Sequence, residues 1–263
     1  MRVRIVGKAS QIANAVRDFP AAFHADFREV RPLAQQYLNE SPPSERTIAP
    51  LARELRCVLG SWGAGKREAP ELLGRDEFVR VLGDPKLHSV LQALGRRPLS
   101  SLGIVGGRRA FNGQPASENE LDLFDSTLFL ALHTLGERLF IQNTNVTYPM
   151  KAVLLITGLM PAFDRQVRTG LQRGGFAGME KEQYLLPSDS SRADGKKITR
   201  LPFLLGRCWS DFATRLLEGL GNSPAPELVN EPGRVFDVLL FRQSTASVLV
   251  KLEPRTAGWY HLD

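Results

Sequence analysis

The 263-residue sequence predicts a mainly α-helical fold with a small C-terminal β-hairpin. Three observations predict it. Apolar residues recur at helical spacing through most of the chain. Pro, Gly and capping residues punctuate those runs at helix-length intervals. The two segments with strand character, VFDVLLF (235–241) and SVLVKL (247–252), both lie close to the C-terminus.

Residues 11–40 place Ile12, Val16 and Phe19, then Phe27, Val30, Leu33 and Tyr37, on helical faces broken at Pro20 and ended by Pro42-Pro43. A second helix runs from Thr47 through LARELRCVLG to the turn Ser61-Trp62-Gly63-Ala64-Gly65. Shorter helices follow at 71–82 and 85–95, with Asp84-Pro85 as a start signal. Residues 103–120 read as a loop ending in a polar first turn, and 121–140 as a long amphipathic helix. After the loop IQNTNVTYP come an apolar helix over 150–159, the turn Met160-Pro161-Ala162-Phe163, and a helix from Asp164 to Arg173. PSDSSRADGKKIT (187–199) is the most polar stretch and reads as a mobile loop. A helix over 204–220 and the turn Pro224-Ala225-Pro226 precede the strand candidates. The chain divides into an N-terminal helical region (1–45), a helical core (46–186) and a C-terminal region (187–263), with no internal repeat.

Composition narrows the function classes. No apolar run reaches the roughly 20 residues of a bilayer span, and MRVRIVGKASQIANAV lacks the apolar stretch of a secretory signal, so the expectation is a cytoplasmic protein without a membrane partner. Cys57 and Cys208 lie far apart in helical segments, as reduced structural thiols would. His24, His88, His133 and His261 show no metal spacing, GIVGGRR is not followed by GK[ST], and no G-x-S-x-G occurs. No metal and no cofactor is therefore expected, and a monomer is the default. A net charge of +6, carried mainly by arginine, invites a phosphate-rich partner.

The stretch TYPMKAVLLITGLMPAFDRQVRTGLQRGGFAGM (147–179) holds Lys151-Ala152 opening an aliphatic helix, a Pro161-Ala162 turn, and Asp164 followed by Val167 and Arg168. It resembles the central part of the helix-hairpin-helix DNA glycosylase superfamily. VLGSWGAGKREAP (58–70) is similar to the tryptophan-glycine loop of that superfamily's oxoguanine-glycosylase-like branch. The resemblance covers roughly residues 50–180, and it implies a helical glycosylase core, DNA as partner, Asp164 as catalytic carboxylate and Lys151 as candidate nucleophile. Two features depart from the pattern. The hairpin ahead of Lys151 has no Gly-x-Gly to hold a phosphate, and Lys151 precedes Asp164 by 13 positions, fewer than the family's usual spacing.

Each residue also has a reading from its own chemistry. Asp164 is placed as an ordinary N-cap, or as an ionised carboxylate facing a developing glycosyl cation, and the two roles are compatible. Lys151 is a surface lysine, a phosphate contact, or an amine nucleophile forming a Schiff base. Arg165 and Arg168 share a helical face beside Asp164. With Arg108 and Arg109, and Lys66 and Arg67, they would form a backbone-tracking clamp if the fold gathers them, and otherwise a solvated basic surface. Trp62 suits a base pocket or a wedge in the vacated stack, or a core position under a tight turn. Gln142, Asn143 and Asn145 offer amides, and Thr147 and Tyr148 adjoin them, for a base edge, a phosphate or a helix cap.

The function implied is hydrolysis of the N-glycosidic bond of a modified base, leaving an abasic site. The polar 187–199 stretch extends this to bulky bases, including those of foreign DNA. The alternatives are a non-catalytic nucleic-acid-binding protein on the same scaffold and a protein with no nucleic-acid partner.

Overall fold

A computed structural model describes residues 1–141, 146–179, 193–254 and 258–261. Its centre is a helix with no solvent face. TYPMKAVLLIT carries no polar stripe, so the helix it forms, α7 (Thr147–Thr157), is buried along its whole length, as an all-round apolar helix must be. Around it pack α2 (Ala21–Asn39), α3 (Glu45–Ser61), α5 (Pro85–Gly95) and α6 (Glu118–Arg138). The α7 C-terminus closes at Gly158, in the left-handed region (φ 67°). There Arg31 of α2 donates to the carbonyls of Ile156 (2.6 Å) and Thr157 (3.2 Å), which puts a cation on the negative end of the helix.

The helix starts have local causes. Asp84 accepts from the Lys86 amide at 2.9 Å with Pro85 at the first position of α5. Ser117 and Glu120 close a reciprocal capping box on α6. Asp164 accepts from the Val167 amide at 2.9 Å and opens α8 (Arg165–Arg173).

A second group of elements carries α8. Helix α8 packs on α11 (Pro232–Gln243), and α11 on α1 (Ala9–Arg17), which also meets α10 (Ala213–Gly221). The fully buried amide of Gln243 ties these together. Its Nε2 donates to the Gly170 carbonyl at 2.5 Å and the Val250 carbonyl at 3.1 Å, while Oε1 accepts from the amides of Leu249 (3.0 Å) and Val250 (2.8 Å). Helices from all three sequence regions contribute to one cluster of buried apolar side chains.

The β content is small and antiparallel. The C-terminal strand expected around SVLVKL is present at Val250–Glu253. Its partner is the N-terminal strand β1 (Arg2–Ile5), with Arg2 opposite Glu253 and Ile5 opposite Val250, so the two ends of the chain are stitched together. Val3, Ile5, Val250 and Leu252 alternate inward along this pair, which sets its register. VFDVLLF is not a strand but the middle of α11, whose start at Pro232 is a first-position proline. A buried helix shows no polar stripe, and a short apolar run does not distinguish it from a strand.

Two further expectations are corrected. The 103–120 segment is not a loop but a three-stranded sheet of β2 (Leu102–Val105), β3 (Arg108–Phe111) and β4 (Gln114–Pro115), which makes the Val250–Glu253 strand β5. Its two-residue turns, Gly106-Gly107 and Asn112-Gly113, have φ of 57°, 83°, 49° and 77°, the all-positive pattern that matches strand twist. The polar stretch assigned to a mobile loop is helical from Ala193, the start of α9 (Ala193–Asp211), and its first six residues lie outside the described ones. Among the described residues no helix is long and apolar enough to cross a membrane. Both cysteines are free, Cys57 exposed and Cys208 buried.

Candidate functional site

Where α1 ends, α2 begins, α3 terminates and α8 begins, the chain leaves a cavity of about 170 Å³ lined by Phe19, Phe23, Trp62, Lys151, Ala162, Asp164, Arg234, Asp237 and Phe241. Three residues singled out in the sequence, Lys151, Asp164 and Trp62, meet in its wall although they come from three different helices.

Each is held in place by a local feature. Asp164 is the N-cap of α8, and one carboxylate oxygen is engaged by Val167. It is only half-buried, so it stands at the cavity margin. Lys151 is buried in α7, where its Nζ donates to the Trp62 carbonyl at 2.8 Å and lies 4.8 Å from the centre of the Tyr148 ring. Neither surface lysine nor exposed phosphate contact describes it. Trp62 caps the C-terminus of α3, and its Nε1 donates to Asp26 at 2.8 Å. At 9% exposure its ring is cavity wall, whereas an intercalating wedge needs a ring standing in solvent.

The neighbouring residues divide sharply. Thr147 and Tyr148 are buried supports: the Thr147 hydroxyl faces the Phe163 carbonyl (3.4 Å), and Tyr148 packs on Phe140 with ring centres 5.8 Å apart. Arg165 is exposed, but Arg168 is 8% exposed and donates to the carbonyls of Phe163 (3.1 Å) and Met179 (3.4 Å). The expected basic pair on one surface face is therefore a single surface cation, because α8 turns the Arg168 side into the core. The same holds for Arg108 and Arg109. Arg108 is exposed on the β2–β3 hairpin, while Arg109 is buried in an ion pair with Asp125 and lies 5.3 Å from the Phe203 ring centre. Lys66 and Arg67 are exposed in the turn that follows Trp62. Gln142, Asn143 and Asn145 lie outside the described residues.

Sequence reading missed Phe19, Phe23, Arg234, Asp237 and Phe241. The signal was present: Arg234, Asp237 and Phe241 stand at i, i+3 and i+7, one helical face, but it is legible only once the segment is taken as a helix. Arg234 and Asp237 form a buried ion pair. Burial pushes the Asp237 carboxyl up to about 6, with the nearby Asp164 charge adding to the rise and Arg234 opposing it, while burial lowers the Arg234 pKa. Aromatic walls, one lysine, one arginine and two carboxylates thus share a small cavity. Among the described residues no group of three or more His, Cys, Asp or Glu is placed to hold a metal ion.

Fold and site together define a mainly α-helical protein whose cavity lies where α1, α2, α3, α8 and α11 meet around the buried α7. Comparison of the chain with protein-family models, with curated proteins and with solved structures returns no match.

Proposed function

We propose that the protein is a DNA glycosylase that hydrolyses the N-glycosidic bond of a modified base flipped into this cavity. The observation that carries the reading is the convergence of Lys151, Asp164 and Trp62 on one aromatic-walled space. An extruded base packs against aromatic side chains, and the cavity wall offers Phe23, Trp62 and Phe241, with Phe23 packed against the other two rings. As the bond to C1′ lengthens and its electron pair leaves with the base, the Asp164 carboxylate opposes the positive charge growing on the sugar or orients the water that captures it. The engagement of Lys151 with the Trp62 carbonyl favours this hydrolytic route over a Schiff base, since an amine nucleophile would have to give up both that bond and a proton.

The cavity bounded by the described residues is about 170 Å³, against roughly 150 Å³ for an engineered cavity that holds benzene. That favours a lightly modified base over the bulky one the polar 187–199 stretch suggested. Exposed cations follow two of the cavity residues in sequence: Lys66 and Arg67 come after Trp62 and the turn Gly63-Ala64-Gly65, and Arg165 comes immediately after Asp164. In this reading they are the candidates for holding phosphates beside a flipped nucleotide.

The test is incubation with duplexes carrying oxoguanine, hypoxanthine, hydroxymethyluracil or glucosylated hydroxymethylcytosine, followed by mass analysis for released base. The expected result is release of one of the smaller bases without an adduct trappable by borohydride. An adduct that vanishes in Lys151→Gln would move the chemistry to the amine. Binding without release would leave a nucleic-acid-binding protein. For the surface, replacing Lys66, Arg67 and Arg165 with Gln should flatten the salt dependence of duplex binding by about 0.9 in log–log slope for each phosphate no longer neutralised. An unchanged slope would remove these three from the interface.

A further inference from the structure

The Arg234–Asp237 pair has no part in the chemistry above, yet both residues are buried in the wall of the site. Arg234 is 1% exposed and Asp237 5%. The guanidinium lies 4.8, 5.1 and 5.0 Å from the ring centres of Phe19, Phe27 and Trp62, and its Nη2 donates to the Phe23 carbonyl at 2.8 Å. Asp237 gives Oδ2 to Arg234 and keeps Oδ1 for the Ala162 amide at 3.0 Å. Ala162 stands two residues ahead of Asp164, in the turn that leads from the end of α7 to the first turn of α8. The next residue, Phe163, is buried, and its carbonyl accepts from Arg168 Nε. A buried ion pair seldom adds stability over an apolar pair of similar volume. Stability is therefore a poor account of it, and placement of the turn a better one.

Resting on the reading of Asp164 as the catalytic carboxylate, we propose that Asp237 is a positioning residue for the reaction. Arg234 fixes the Asp237 carboxylate beneath the cavity, and Oδ1 pins the Ala162 amide, which sets where the Asp164 carboxylate stands over the sugar of a flipped nucleotide. In this role Asp237 acts through the Ala162 amide and not on the reacting atoms, with Oδ1 on that amide and Oδ2 on Arg234.

Two double variants separate placement from packing. Arg234→Met/Asp237→Leu removes the charges and the acceptor for Ala162. Arg234→Met/Asp237→Asn removes the charges and restores an acceptor. The measurements are thermal midpoint, affinity for each of the four modified duplexes named above, and the single-turnover rate of base release. Both variants should melt close together and bind the duplexes alike. The Leu variant should release base at least about tenfold more slowly than the parent, since misplacing a catalytic group by an ångström costs up to about 100-fold. The Asn variant should recover most of that rate. Should the Leu variant not fold, Arg234→Met/Asp237→Ser, whose hydroxyl is too short to reach the amide, takes its place with the same expectation. Equal release rates in the two variants, or a loss confined to affinity, would overturn the positioning role alone. A parent that releases no base from any of the duplexes would overturn the glycosylase reading and the positioning role with it.

Discussion

Asp164→Asn is expected to leave a folded protein that binds duplex DNA but releases base at a rate near background. The cap survives, because asparagine also accepts a hydrogen bond from first-turn amides and ranks with aspartate as an N-cap, so the 2.9 Å contact to Val167 has a replacement. What disappears is the negative charge at the cavity margin. Removing one preorganised electrostatic partner of a transition state typically costs on the order of 100-fold or more in rate, and a carboxylate facing an oxocarbenium-like sugar is a partner of that kind. The comparison needs thermal melting, duplex affinity and single-turnover release side by side. Release within about threefold of the parent, far short of that expected loss, would reduce Asp164 to its capping role and move the catalytic assignment elsewhere. Arg168 supplies a check on the interface from the same helix. Its guanidinium is occupied by backbone carbonyls, so its removal should lower stability and leave the salt dependence of binding unchanged.

Much of the helical architecture was legible in the sequence because its signals are local. Asp84-Pro85 and Pro161-Ala162-x-Asp164 each mark a helix start that the structure places within a residue, whereas α6 begins at Glu118, three residues ahead of the start expected at Leu121. The misread elements are those whose period or partner is not local. VFDVLLF is buried on every side, so neither helix nor strand periodicity stands out, and its helical identity shows only in the spacing of Arg234, Asp237 and Phe241. Strand β1 was invisible because its partner is at the other end of the chain. The 103–120 sheet was missed for a different reason: Gly106-Gly107 and Asn112-Gly113 are hairpin dipeptides that were legible and were read as a basic flexible loop. At the site, the resemblance to helix-hairpin-helix glycosylases pointed to Lys151, Asp164 and Trp62, while residue type alone left each with a structural alternative. Residue type could not tell Arg165 from Arg168 or Arg108 from Arg109. Which face of a short helix or strand turns inward is set by α11 and α9, far away in sequence.

Gly170→Ala should be strongly damaging for so small a substitution. Gly170 lies inside α8, where alanine would ordinarily stabilise a helix by about 1 kcal/mol over glycine. Here a methyl group would sit 1.9 Å from the Leu240 carbonyl oxygen and 2.7 Å from its carbon, backbone atoms of α11 that have no rotamer by which to yield. Even a close carbon–oxygen contact is about 3.3 Å, so α8 must move away from α11 by an ångström or more. That movement also pulls the Gly170 carbonyl from Gln243, whose amide is buried and holds β5 as well. Overpacking alone costs about 1–3 kcal/mol and a stranded buried donor a similar amount, so together they outweigh the gain in propensity. The expected net loss is at least about 2 kcal/mol, which for a chain of this size lowers the thermal midpoint by at least about 4 °C. Gly221→Ala, at the end of α10 with nothing within 4 Å of the added carbon, is the matched control and should be neutral or slightly stabilising. Because α8 carries Asp164 at its first turn, the same displacement should slow base release even at temperatures where the variant is fully folded. A Gly170→Ala protein that melts with the parent would show that α8 and α11 are not in backbone contact, and would remove the support on which the placement of Asp164 depends.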